Sequence, residues 1–280
     1  MIITKYGPDP VGVDTAKPAG RGDHRGAGLV GIFFAAWPVD DWDAQMLFFL
    51  HHGYRVIAHD RRGHGRSAQV SEGNDMDHYA DDLADLVQHL DLHDAVHIGH
   101  SAGGGEVARY VGRHGESRVA KVVLVSAVTP SVLQTDANPA GAPQAAFEGL
   151  QAGLAANRSE FYRAVASGPF YNFDQPGVEA SEPVIANWWR QGMMGGAKGQ
   201  YECVSEFIRQ DYSEDLKKIS VPVLAMNGDG DQVVPHDTSG PRAVKLVQNG
   251  TLKTYPGFPH GMLTTHADTL NPDLLAFIQS

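Results

Sequence analysis

Ala95-Val96-His97-Ile98-Gly99-His100-Ser101-Ala102-Gly103-Gly104-Gly105-Glu106 leads from a short apolar run, Ala95 to Ile98, into a run with helical spacing, Gly104 to Arg113. The first reads as a strand and the second as a helix, and the pentapeptide Gly99-His100-Ser101-Ala102-Gly103 between them has the spacing of a nucleophile elbow. The backbone reverses sharply in such a turn, so glycines two residues either side of the serine let it bend while the hydroxyl is held out at the sheet edge. G-x-S-x-G strings are common by chance. It is the strand before and the helix after that make Ser101 the candidate nucleophile.

The same alternation extends outward in both directions. Leu29 to Ala35 is a short apolar run, Trp42 to His51 has helical spacing, and Tyr54 to His59 reads as a strand followed by the turn-rich Arg62-Gly63-His64-Gly65-Arg66. From Met76 to Leu92, Leu83, Leu86, Val87 and Leu90 oppose Asp81, Asp82, Asp85 and Gln88, the pattern of a helix covering one side of a sheet. Val119 to Val128 is nearly continuous Val and Leu, as in a strand buried on both faces. Alternation of this kind predicts an α/β fold with a mostly parallel sheet and flanking crossover helices.

That rhythm stops between Thr129 and Leu216, where Pro130, Asn138-Pro139, Gly141-Ala142-Pro143 and Pro176-Gly177 interrupt helical runs such as Ala145 to Leu154 and Ser159 to Ala166. Strands resume at Val221 to Met226 and Thr251 to Tyr255, and a closing helix is expected from Thr264 to Ile278. The expected organisation is a core domain of residues 1–128 and 217–280, with a helical cap, residues 129–216, standing over the carboxyl edge of the sheet.

With 42% hydrophobic and 20% charged residues, the 280-residue chain can bury a sizeable core. A formal charge of −11 with no basic stripe argues against a nucleic-acid partner. Leu29 to Pro38 is far too short to span a bilayer, so no membrane anchor is expected. Met1 to Lys5 lacks the features of a signal peptide and the single Cys203 cannot form an internal disulfide, which leads to the expectation of a cytoplasmic protein. Cys203 has no motif around it and reads as a buried packing residue.

A serine nucleophile needs a base oriented by a carboxylate, arriving in the chain order Ser, Asp or Glu, His. The strand ends supply both. After Val221 to Met226 comes Asn227-Gly228-Asp229-Gly230-Asp231-Gln232-Val233-Val234-Pro235, and after Thr251 to Tyr255 comes Pro256-Gly257-Phe258-Pro259-His260-Gly261. Among fourteen histidines, His260 is set apart by standing in a tight loop after the last strand. Asp229 and Asp231 compete for the acid: Asp229 directly follows Gly228 and can cap the turn through local backbone bonds, so Asp231 is preferred. No metal site is expected, because His260 and His266 miss an H-x-x-x-H spacing and the adjacent His51 and His52 point different ways.

With Ser101, Asp231 and His260 placed, the sequence from about Asp40 to the C-terminus resembles the α/β-hydrolase superfamily, and within it the arylesterase and cofactor-free (non-haem) haloperoxidase, or perhydrolase, branch. The resemblance is carried by Asp41-Trp42-Asp43-Ala44-Gln45, by the run Gly53-Tyr54-Arg55-Val56-Ile57-Ala58-His59-Asp60-Arg61-Arg62-Gly63-His64-Gly65-Arg66-Ser67, by the elbow extended to Glu106, by Ser167-Gly168-Pro169-Phe170-Tyr171 and by Phe258-Pro259-His260-Gly261. It implies the α/β-hydrolase fold and a Ser-His-Asp esterase acting on a small-molecule ester without cofactor, metal or haem, and it favours Asp231 over Asp229. It also implies that hydrogen peroxide can replace water, giving a peracid that oxidises halide, and Pro38 after Trp37 keeps that side reaction open. A haloalkane dehalogenase would need an aspartate where Ser101 stands.

The oxyanion hole is expected from the backbone N–H groups of Ala102 and Trp37. Where the family reads His-Gly-Trp-Pro, this chain reads Ala35-Ala36-Trp37-Pro38, and Tyr6 to Gly28 shows no alternating hairpin. The alternative reading is therefore a non-catalytic or impaired relative. Phe147, Phe161, Phe170, Trp188 and Trp189, with Tyr171 and Phe173, are the cap aromatics expected to contribute to a substrate pocket, and a homo-oligomer is left open.

Overall fold

Parallel strands cannot be joined by hairpins, so each must be followed by a return crossing, and the chain supplies these with helices. The computed structural model describes residues 2–5, 28–32 and 39–280, with side chains from residue 40 onward. In chain order the elements are β1 (Ile2–Lys5), β2 (Gly28–Ile32), α1 (Asp43–His51), β3 (Tyr54–Ile57), α2 (Met76–His89), β4 (Ala95–His100), α3 (Ala102–His114), β5 (Val119–Val125), α4 (Gln144–Ser167), α5 (Glu182–Met194), α6 (Ala197–Arg209), α7 (Ser213–Leu216), β6 (Val223–Gly228), α8 (Gly240–Ala243), β7 (Gly250–Tyr255), α9 (Met262–Thr265) and α10 (Ala267–Gln279). The sheet order is β1-β3-β2-β4-β5-β6-β7. From β3 to β7 every neighbouring pair is parallel, and among the described strands β1 alone pairs antiparallel.

β4 and β6 are buried along their whole length, as strands covered on both faces must be. The period-two alternation of side chains shows in β5. Val122 and Leu124 face a layer built from Leu83 and Val87 of α2 and Val107 and Val111 of α3, whereas Val123 and Val125 face Trp42, Phe49 and the Leu270 and Leu274 of α10. The α2 helix starts where the Asp75 carboxylate accepts the His78 N–H at 3.0 Å, an N-cap bond.

Several boundaries differ from the sequence expectation for local reasons. The β6 strand begins at Val223 rather than Val221, because Pro222 has no N–H to give the ladder. The β5 strand stops at Val125, where Ser126 turns to φ +43°. The two expected helical runs at 145–154 and 159–166 form one element, α4, broken inside by Asn157 at φ −159°, ψ 89°. The closing helix is divided at His266, whose ring stacks on Phe258 at 3.8 Å, into α9 and α10. Residues 129–216 contribute α4 to α7 and two isolated bridges, Leu133 with Ala142 and Thr135 with Asn138. Among the described residues no helix is long and apolar enough to cross a membrane.

Candidate active site

Ser101 joins β4 to α3 at φ 55°, ψ −124°, a conformation that costs a residue with a side chain about 1–3 kcal/mol. Its backbone is held there from the next strand: the Ser101 N–H donates to the Val125 carbonyl at 3.0 Å, and its own carbonyl accepts from Val128 N–H at 3.1 Å and Gly104 N–H at 3.0 Å. Gly99 is required by close approach, since a Cβ there would sit 2.6 Å from the Gly103 carbonyl carbon and the Gly104 Cα. The serine is fully buried, and its Oγ makes no hydrogen bond among the described residues. Ala102 opens α3, so its N–H belongs to the first turn, where helical backbone donors have no intrahelical acceptor and the helix dipole favours negative charge.

The two loops after β6 and β7 meet at the same edge. Asp231 Oδ1 accepts the N–H groups of Val233 at 2.9 Å and Val234 at 2.8 Å, which orients the carboxylate and turns Oδ2 to accept from His260 Nδ1 at 2.8 Å. Both side chains are completely buried. Asp229 is spent elsewhere. Its carboxylate accepts the Gly257 N–H at 2.5 Å and its own N–H donates to Tyr255 O at 3.1 Å, so it ties the loop after β6 to the turn after β7.

His100, which the sequence marks only as flanking the elbow, lies against the base. Its ring is 4.7 Å from that of His260, and its Nε2–H donates to the His260 carbonyl at 3.0 Å. A carbonyl can only accept, so Nε2 must carry the proton. Burial, and then the neighbouring His260, hold the His100 pKa well below the ordinary histidine value and keep it neutral. Phe170 completes the enclosure with its ring edge-on to His260 at 5.0 Å.

Ser101 lines a cavity of about 280 Å³ that is walled mainly by apolar side chains of α4, α6 and the loop following Asp231, and among the described residues none in its lining is charged. Of the expected pocket aromatics, Phe147, Phe161 and Phe170 line it. Trp188 and Trp189 do not, which corrects the sequence expectation. Trp188 is fully buried one layer back, 4.5 Å from Phe170 and edge-on to Tyr162 at 6.3 Å, and Trp189 turns its Nε1–H to the Ser159 carbonyl at 3.0 Å. Tyr171 packs against Gly261 and is also absent from the lining. Trp37 and the rest of Ala35-Ala36-Trp37-Pro38 lie outside the described residues, as does nearly all of Tyr6 to Gly28.

A buried ion pair lies between α3 and the loop after β3. The Arg61 guanidinium is bonded to the Glu106 carboxylate, lies 4.7 Å over the Tyr79 ring and approaches Cys203 Sγ at 3.8 Å. Burial disfavours the Arg61 charge, but Glu106, with Cys203 and Tyr79, outweighs it and holds the guanidinium pKa above its usual value. Neither residue lines the cavity, and Cys203 is fully buried among them.

Residues 35–267 match the family described as alpha/beta hydrolase fold. The chain is 59% identical over 251 residues to a bifunctional esterase/perhydrolase of Acinetobacter calcoaceticus, covering 89% of this chain and 91% of that protein. It is 57% identical over 257 residues to a non-heme haloperoxidase of Rhodococcus erythropolis, covering 91% and 94%. Among solved structures, the bromoperoxidase of Bacillus anthracis superimposes with a TM-score of 0.86 at 33% identity, covering 91% of this chain and 92% of that one.

Proposed function

The chain belongs to the alpha/beta hydrolase fold family, and on that premise we propose that it is a serine carboxylic-ester hydrolase working through an acyl-enzyme, with perhydrolase and haloperoxidase chemistry open to the same intermediate. Relatives named esterase/perhydrolase and non-heme haloperoxidase, matched over 91% and 94% of their length, support this reading. The observation that carries it is the 2.8 Å bond between fully buried Asp231 and His260, at the edge where Ser101 opens on an apolar cavity. The alternative of a non-catalytic relative finds no support in proteins that carry enzyme names.

In this mechanism Ser101 Oγ attacks the ester carbonyl carbon while His260 Nε2 takes its proton. Asp231 holds the proton on Nδ1 and stabilises the imidazolium that forms. The Ala102 N–H, with that of Trp37 as the resemblance implies, receives the developing oxyanion, each such donor contributing about 10²–10³ in turnover. The C–O bond then breaks and the alcohol leaves with the proton from His260. Water, deprotonated by the same histidine, attacks the acyl carbon and releases the acid. Hydrogen peroxide in place of water releases a peracid, which oxidises bromide or chloride away from the protein and is itself reduced to the acid. Residues 129–216 act as the cap, and their apolar lining suits an uncharged, small-molecule ester.

A short-chain aryl acetate tests the reading. The wild-type protein should release nitrophenol in a burst, Ser101→Ala should give none, and a serine-directed phosphonate should be found by mass spectrometry on Ser101 alone. Nitrophenol release that survives Ser101→Ala near the wild-type level would remove the serine from the mechanism.

A further inference from the structure

The string Ser167-Gly168-Pro169-Phe170-Tyr171 runs directly into Asn172, and the segment from Phe170 to Asn172 lies between the loops that carry the acid and the base. On one side, the Phe170 carbonyl accepts the N–H of Gly261, the residue after His260, at 2.7 Å. The Tyr171 ring lies so close over Gly261 that any Cβ there would collide with it. On the other side, Asn172 Nδ2 donates to the carbonyl of Gly230 at 2.8 Å, and its Oδ1 accepts from Gln232 Nε2 at 2.8 Å. Gly230 and Gln232 are the two chain neighbours of Asp231, so one amide grips the acid from both flanks.

Asn172 is only 7% exposed and stands at φ +57°, in the left-handed region that asparagine tolerates better than most residues with a side chain. Both ends of its amide are committed to the acid loop, so the side chain fastens that loop rather than filling space. The bonds from Val233 and Val234 orient the Asp231 carboxylate within its own loop. They do not set the distance from that loop to His260. The segment from Phe170 to Asn172 touches both loops.

Resting on the esterase reading above, we infer that Asn172 is a positioning residue for the acid: it holds residues 230–232 so that Asp231 Oδ2 stays against His260 Nδ1, while the Phe170 carbonyl holds the base loop from the same segment. The region 129–216 thereby sets the alignment of acid and base in addition to walling the pocket.

Asn172→Gly tests this without adding strain, because glycine keeps the positive φ and removes only the amide. With an aryl acetate, kcat should fall about tenfold with KM nearly unchanged, the signature of misaligned catalytic groups rather than lost substrate contacts. The far-downfield proton resonance of the Asp231–His260 hydrogen bond should shift or broaden. Asn172→Asp, which keeps the acceptor for Gln232 but loses the donor to Gly230, should lose as much kcat as glycine, and it serves as the second variant if glycine fails to fold. A folded variant of either kind with wild-type kcat and an unchanged resonance overturns the inference, as does a loss of activity that only tracks the unfolded fraction in a melting curve. Wild-type protein that gives no nitrophenol burst overturns the esterase reading and this inference with it, whereas a normal wild-type burst with unaffected Asn172 variants overturns this inference alone.

Discussion

Two pairs of titratable side chains are buried on either side of the elbow, Asp231 with His260 and Glu106 with Arg61, and in each the side chains are at most 2% exposed. What differs is what lies beyond them. Asp231 and His260 stand at the carboxyl ends of β6 and β7, where the sheet edge opens on the cavity that Ser101 lines. Arg61 and Glu106 are packed against Tyr79, Cys203 and α3, and neither lines the cavity at Ser101. Burial of charge by itself therefore does not mark a site. A titratable pair serves chemistry when a nucleophile and a substrate-sized space adjoin it, and otherwise it ties elements together at a desolvation cost.

The largest expected effect lies on the cavity side. Ser101→Ala, and equally His260→Ala, should lower kcat for aryl acetates by about 10⁶, because members of such a unit fail together. Asp231→Asn should cost about 10⁴ in kcat, since the wrong imidazole tautomer is then favoured. Glu106→Gln is the mirror experiment: it leaves the Arg61 charge buried without its counterion and should lower unfolding free energy by about 3–5 kcal/mol, with kcat per folded molecule within about tenfold of wild type. Denaturant titration with active-site counting separates the two effects. An Asp231→Asn protein with normal turnover, or a Glu106→Gln protein of full stability and no turnover, would exchange the roles assigned to the two pairs.

A smaller effect is expected at Asp229, whose carboxylate bonds the Gly257 backbone and not the imidazole. Asp229→Asn should lower kcat by less than about tenfold, through loop position alone. A loss as large as that of Asp231→Asn would transfer the acid role.

The smallest and most general effect is on stability against pH. Burial, reinforced by the neighbouring Arg61, lowers His64 from 6.5 to about 3, and burial with the neighbouring His260 lowers His100 in the same direction. Both are neutral when folded and take up a proton on unfolding below pH 6.5, so the unfolded chain binds more protons there. Their contribution to stability is complete above pH 6.5, and for His64 it is lost progressively as pH falls toward about 3. Asp41 and Glu106, which burial raises to about 7, act in the opposite sense between pH 7 and about 4, so melting temperatures should fall steadily only below about pH 4. A flat profile there would mean that these rings are already protonated in the folded protein.

Much of the fold is legible in the sequence, because its signals are local. Apolar alternation, the Asp75 cap before α2, the glycines of the elbow and the turn residues after β6 and β7 are each written within a few consecutive positions. Boundaries slipped where one residue overrides a run, as Pro222 does at the start of β6 and Asn157 within α4. That Trp188 and Trp189 lie off the cavity is not legible in the sequence, because an aromatic in a helical segment carries no mark of whether it faces a cavity or the layer behind it. The signal for His100 was present, a histidine beside the candidate nucleophile, but its acceptor is 160 positions away.

The sequence by itself determined the order of strands and helices, the glycine-flanked serine turn and the loops that carry candidate Ser, Asp and His residues in that order, with two aspartates in the second. Each follows from backbone sterics and hydrophobic periodicity acting over neighbouring residues. Only the tertiary structure decided which aspartate reaches the imidazole, since Asp229 and Asp231 are chemically identical and differ in whether Gly257 or His260 comes to meet them. It alone decided that Arg61 and Glu106 are buried together, that three of the seven expected aromatics line the cavity, and that Asn172 grips the acid loop 58 residues downstream. Hydrogen bonds and packing between residues so far apart in the chain depend on how the strands are laid side by side, and no window of sequence contains that arrangement.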